Sequence, residues 1–104
     1  MATVTTYTYD VGDKIRCSVR FATIAGVDTD PTAVVFKWLD PSGNAASDTY
    51  GDPGSLVVRD SAGNYHRDVS IDEEGQWFYR WEGTGAIQGA GEKSFLIRDS
   101  KFTA

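Results

Sequence analysis

Cysteine, histidine, proline and long apolar runs are all scarce in this chain of 104 residues, and each scarcity excludes something. The lone Cys17 has no partner for an intrachain disulfide, so the fold must stand without the staple that small secreted domains often use. A reducing compartment fits that fact. His66 is the only histidine and has no cysteine or second histidine at metal-ligand spacing, so no metal and no cofactor is expected. No apolar run approaches the roughly 20 residues that cross a bilayer, and the opening MATVTTYTYD lacks the basic and apolar regions of a signal peptide. A soluble protein made in the cytoplasm, with no membrane partner, is the expectation. Basic residues are outnumbered 10 to 15 by acids, giving a net charge of −5 and a pI near 4.6. With no basic stripe for phosphate contacts, nucleic acid is not an expected partner.

Aromatic residues make up 12% of the chain and aliphatic residues are spread along it, which argues for a packed core despite eleven glycines. The length suits one domain over residues 1–104, with short arms at either end. Turn signals recur at short intervals: VGD at 11–13, DPSG at 40–43, GDPG at 51–54, DSAGN at 60–64, EEG at 73–75 and GTGAIQGAG at 83–91. Helical periodicity is absent between them, and the short β-rich runs predict an all-β antiparallel sandwich. Strands are expected over 14–21, 33–39, 46–50, 56–59, 65–71, 76–82 and 93–98, with the N-terminal TVTTYTY pairing on an edge. In 65–71, alternation turns Tyr65, Val69 and Ile71 inward and leaves Arg67 near a sheet edge.

The densest stretch is DEEGQWFYRWEGTG at 72–85. Alternation sets Trp77, Tyr79 and Trp81 on one face and Phe78 and Arg80 on the other, so the three large rings are core candidates. Gly75 suits a turn that needs positive φ, and Asp72 is placed to accept backbone hydrogen bonds across it. The acids then shape a corner. D-x-x-G-x-W-x-Y resembles the corner and F strand of immunoglobulin-like domains, with Trp77 in the corner position and Tyr79 where a second core cysteine stands. Cys17 and Trp38 match that pattern's B-strand cysteine and C-strand tryptophan, which implies a Greek-key sandwich of about seven strands without its inter-sheet disulfide.

A broader resemblance runs from about Tyr9 to Arg98. YDVGDKIRCSVRF, DPTAVVFKWLDPSG and VVRDSAGNYHRDVSIDEEGQWFYRWEGTGAIQGAGEKSFLIR are similar to small immunoglobulin-like structural proteins of tailed bacteriophages and prophages. The resemblance implies a non-catalytic virion component, an accessory or decoration subunit of the capsid, neck or tail. Its partners would be other virion proteins and further copies of itself. A carbohydrate-binding adhesion module on the particle surface is the alternative.

Other residue patterns offer chemistry and are weighed against plainer roles. Asp72, Glu73 and Glu74 are adjacent turn residues, whereas glycoside hydrolysis needs two carboxyls facing each other across a sugar. His66 has no nucleophile elbow nearby and is expected to be an outward strand residue. Asp28 and Asp30 form a D-x-D that supplies only part of a calcium shell of six to eight oxygens. Trp81, Phe78, Tyr7, Tyr9 and Tyr50 could contribute an aromatic surface for a glycan or a subunit. The arms and the glycine-rich loop are the expected contact segments, with Tyr7, Tyr9, Ile87 and Phe102 as interface candidates.

Overall fold

The computed structural model describes residues 8–10, 12–85 and 89–98, the side chains of 8–10 and 98 excepted. Among the described residues every regular element is a strand: β1 (Thr8–Asp10), β2 (Lys14–Arg20), β3 (Ala33–Leu39), β4 (Ala45–Thr49), β5 (Val58–Ser61), β6 (Asn64–Ser70), β7 (Gly75–Thr84) and β8 (Gly89–Arg98). They form a five-stranded sheet in the order β1-β8-β7-β3-β4 and a three-stranded sheet in the order β2-β6-β5. All pairings are antiparallel except β1 with β8, which is parallel and sets Tyr9 beside Ile97.

The two sheets share one core in a sandwich-like, all-β arrangement. Ile15, Cys17, Tyr65 and Val69 come from the three-stranded sheet, and Val34, Phe36, Trp77, Trp81, Phe95 and Ile97 from the five-stranded one. The period-two alternation explains which residues go inward, since β2 buries Ile15 and Cys17 while Lys14, Arg16 and Ser18 are exposed. The rings form one connected set: Phe36 lies 4.8 Å from Trp81 and 5.4 Å from Trp38, and Trp77 stacks on Phe95 at 6.2 Å. Full burial of such side chains contributes roughly 2 kcal/mol each.

Two turns that look independent in the sequence meet in space. The Ser42 hydroxyl of the DPSG turn donates to the Glu73 carboxylate of the DEEG corner. Gly75 has φ +121°, and a Cβ there would lie 2.7 Å from the Pro41 ring. The corner therefore needs glycine twice over, for its backbone conformation and for the close approach of Pro41. Trp77 anchors it from below by donating Nε1–H to the Glu73 carbonyl at 3.0 Å. Asp72 is exposed, and these corner contacts run through Glu73 rather than Asp72.

Arg67 also departs from expectation. It stands on the central strand of the three-stranded sheet and points inward, where its guanidinium meets Asp48 of β4 in the opposite sheet at 3.1 Å. A charge at an inward position is tolerated because it is paired: the two side chains are 12% and 11% exposed, and Arg67 lies 4.6 Å over the Trp38 ring.

Candidate functional site

On the outer face of the five-stranded sheet, alternation presents Val35, Lys37 and Leu39 of β3, Phe78, Arg80 and Glu82 of β7, and Glu92, Ser94 and Leu96 of β8. The register aligns Leu39 with Ala45 on one side and Phe78 on the other, and Phe78 with Ser94. Because β4 carries only small outward residues there, the face sinks into a shallow groove of about 620 Å³. Trp38, Leu39, Ala45, Phe78 and Tyr79 line it, with Lys37, Arg80 and Glu92 at the rim. Phe78 is 37% exposed and Leu96 42%.

The rim charges neutralise one another. Glu82 takes Arg80 at 2.8 Å and Lys37 at 2.9 Å, and Arg80 stands 3.9 Å from Glu92. The hydrogen bonds from Arg80 and then Lys37 hold the Glu82 carboxyl below its ordinary range. Exposed pairs of this kind add little stability, but they hold long side chains in place around the apolar floor. A groove with an apolar floor and an ordered polar rim is suited to binding another surface.

The other candidates resolve into structure. Asp30 accepts from Arg59 Nη2 at 3.0 Å, the Gly63 N–H at 2.8 Å and the Tyr65 hydroxyl at 2.9 Å. Arg59 foremost, then Gly63 and Tyr65, hold its carboxyl down at about 2. Asp28 accepts from Asn64 and Arg20, which draw its carboxyl downward as well. The D-x-D is therefore a clamp joining the 21–32 loop to the β5–β6 turn, its oxygens already engaged by protein donors. Among the described residues, no group of three or more His, Cys, Asp or Glu side chains is arranged to hold a metal.

His66 alternates with the inward Tyr65, yet it is only 9% exposed, which corrects its assignment as an ordinary outward residue. Its Nδ1 lies 2.8 Å from both Asp60 carboxylate oxygens, a contact across the bulged β5–β6 hairpin. Ser18 stands opposite His66 in the β2–β6 register, but no hydrogen bond joins them and the groove lies on the other sheet.

Of the corner and core candidates, Cys17 and Trp77 are buried, Trp38 and Tyr79 pack against the core and also line the groove, and Gly75 forms the corner. Asp72 lines a separate polar cleft of about 340 Å³ with Lys14, Asp40, Arg67 and Asp68. Tyr7, Ile87 and Phe102 lie outside the described residues, and of Tyr9 only the backbone is described. The aromatic surface is not assembled as read. Trp81 is 1% exposed, and Tyr50 packs edge-on to Tyr65 at 5.3 Å, away from Phe78. The groove escaped the sequence reading because it depends on small residues at Ala45 and Ser47, whose effect appears only once β4 is placed beside β3.

No protein-family model, no curated protein and no solved structure matches this chain.

Proposed function

We propose that this chain is a non-catalytic structural subunit of a tailed-phage virion, an accessory or decoration protein of the capsid or the head–tail neck held by protein–protein contacts. The proposal includes an immunoglobulin-like Greek-key topology. In support, β2, β6 and β5 take the places of strands B, E and D, and β3, β7 and β8 those of C, F and G, with β4 beside C. The phage-like motifs carry the setting: DPSG, the VRDSAGNYH hairpin and GQWFYRWEGTG.

The observation that carries the binding role is the outer-face groove, where Leu39 and exposed Phe78 form an apolar floor inside an ion-paired rim, with exposed Leu96 further along the same face. That anatomy, an apolar centre with a polar border, is that of a docking patch for another protein. Mass spectrometry of purified particles from a host producing this chain tests the setting. The proposal expects the protein at a fixed ratio to the major capsid protein, and its absence from washed particles refutes it. Phe78 beside Lys37, Arg80 and Glu92 also suits stacking against a sugar ring, so binding to a glycan array by protein absent from particles would favour the adhesion reading.

A further inference from the structure

The four sheet edges are not protected equally. On β2, Lys14, Arg16 and Arg20 project from alternate positions. β5 is short, carries Arg59 and Asp60, and breaks register between Arg59 and Ser61. Charge guards β2, and charge, shortness and a bulge together guard β5, the features by which natural edges avoid pairing with another chain. β1 is a three-residue strand on the edge of β8. β4 carries neither charge nor bulge over Ala45, Ala46 and Ser47, all exposed and none with a side chain longer than serine's.

The hydrogen-bond phase of the β3–β4 ladder identifies which β4 groups have no partner among the described residues. Tyr50 donates to the Val34 carbonyl at 2.9 Å and Asp40 to the Asn44 carbonyl at 3.0 Å, so Val34/Tyr50 and Asp40/Asn44 are hydrogen-bonded pairs in register with the ladder. Because bonded and non-bonded pairs alternate, Asp48 and Ala46 also face β3, while the N–H and C=O groups of Ala45 and Ser47 point away from the sheet. Thr49 points the same way, but its carbonyl already accepts from Asp52 at 3.2 Å.

We infer that β4 is the strand through which two copies of this chain pair, antiparallel, about a two-fold axis passing through Ala46. In that register Ala45 of each copy exchanges both backbone bonds with Ser47 of the other, using the groups left free, and Ala46 meets Ala46 as a close non-bonded pair. Charge favours a second copy at this edge despite the acidic chain. The only β4 acid, Asp48, is turned inward and paired with Arg67, and in this register it lies opposite Asn44 rather than another charge. The two outer-face grooves, each lined by Ala45, Ala46 and Ser47, then join across the seam into one trough. A seam this short buries well under the roughly 800 Å² per partner of a lasting complex, so the pair is weak and fills at protein concentrations on the order of 0.1 mM.

The test uses the purified chain and three variants, and it does not depend on the virion setting. Sedimentation equilibrium of the parent should show a monomer–dimer equilibrium near that concentration. Ala46→Cys should oxidise to a covalent dimer, because non-bonded antiparallel partners sit about 4.5 Å apart at Cα, within the range a disulfide spans. Ser94→Cys, exposed on β8, is the control and should cross-link at least tenfold more slowly. Ser47→Pro removes one outward N–H and no β3 bond, so it should stay folded by circular dichroism and sediment as a monomer. If that variant does not fold, Ala45→Lys, which leaves the backbone intact and places a cation at the seam, should be monomeric in its place. A parent that remains monomeric, an Ala46→Cys dimer forming no faster than the Ser94→Cys control, or a folded Ser47→Pro that dimerises like the parent overturns the inference.

Discussion

Arg67 of β6 and Asp48 of β4 join the two sheets through a nearly enclosed ion pair, with Nε 3.1 Å from Oδ2 and the guanidinium resting on Trp38. Burial works against the Asp48 carboxylate, but hydrogen bonds from Ser55, the Leu56 N–H and Arg67 outweigh it and leave the carboxyl below its ordinary range. Removing one partner leaves the other charge enclosed without a counter-ion. Arg67→Ala should therefore cost about 3 kcal/mol in urea denaturation. Pairing it with Asp48→Ala should recover part of that loss, and strictly additive losses would show that the two side chains do not interact.

Asp30 makes stability depend on acid. Its folded carboxyl is held at about 2 by Arg59, Gly63 and Tyr65, below the ordinary value near 3.9 that it regains when unfolded. A depressed folded pKa contributes stability that is complete above about pH 4 and is lost as pH falls toward 2. The parent should accordingly weaken across that window. Asp30→Asn, which carries no titratable proton, should be less stable at pH 6 and lose less on acidification. A variant with the same pH slope as the parent would remove Asp30 from the account.

Cys17 is 1% exposed, and burial pushes its thiol up to about 12. Thiol reagents react with the thiolate, so the native protein should resist modification at pH 8 while protein in 6 M guanidinium labels fully within minutes. Stoichiometric labelling at comparable speed without denaturant would show that β2 opens readily.

The two buried tryptophans Trp77 and Trp81 differ in how their indole N–H is used. Trp77 donates to Glu73, whereas Trp81 Nε1 is buried with no hydrogen-bond partner among the described residues. Replacement by phenylalanine leaves a similar cavity at each site, but only Trp77→Phe loses a hydrogen bond. It should be the more destabilising of the two by about 1 kcal/mol in paired melts. Equal losses would mean that the corner bond contributes nothing net.

Much of this architecture is legible from period-two alternation. The inward sets Tyr65/Val69 and Trp77/Trp81 are read directly, because a half-buried strand admits only one register. The glycine-rich 83–91 segment reads as a loop in the sequence, yet β7 runs to Thr84 and β8 starts at Gly89. The ladder runs on through the Gly83–Gly89 pair, and the Phe21 ring lies close over Gly83, where a Cβ would come within 2.6 Å of it. The contacts of Asp30, Arg67 and His66 are not legible in the sequence, for a common reason. Their partners Arg59, Asp48 and Asp60 come from other strands, and no local pattern names such a partner. The groove was invisible because it is made by what β4 lacks.

On the proposed function, this chain rides on a phage particle through the outer face of its five-stranded sheet. Co-sedimentation with purified particles stripped of the protein tests it most directly, comparing the parent with a Phe78→Ser/Leu96→Ser double variant and with a chain lacking residues 1–6 and 99–104. Both substituted residues are exposed, so folding should be unaffected and checkable by an unchanged melting temperature. The parent should pellet with particles, and the double variant should lose at least tenfold in binding. A folded double variant that pellets as tightly as the parent, while the trimmed chain stays in the supernatant, would contradict the claim and move the interface to the arms.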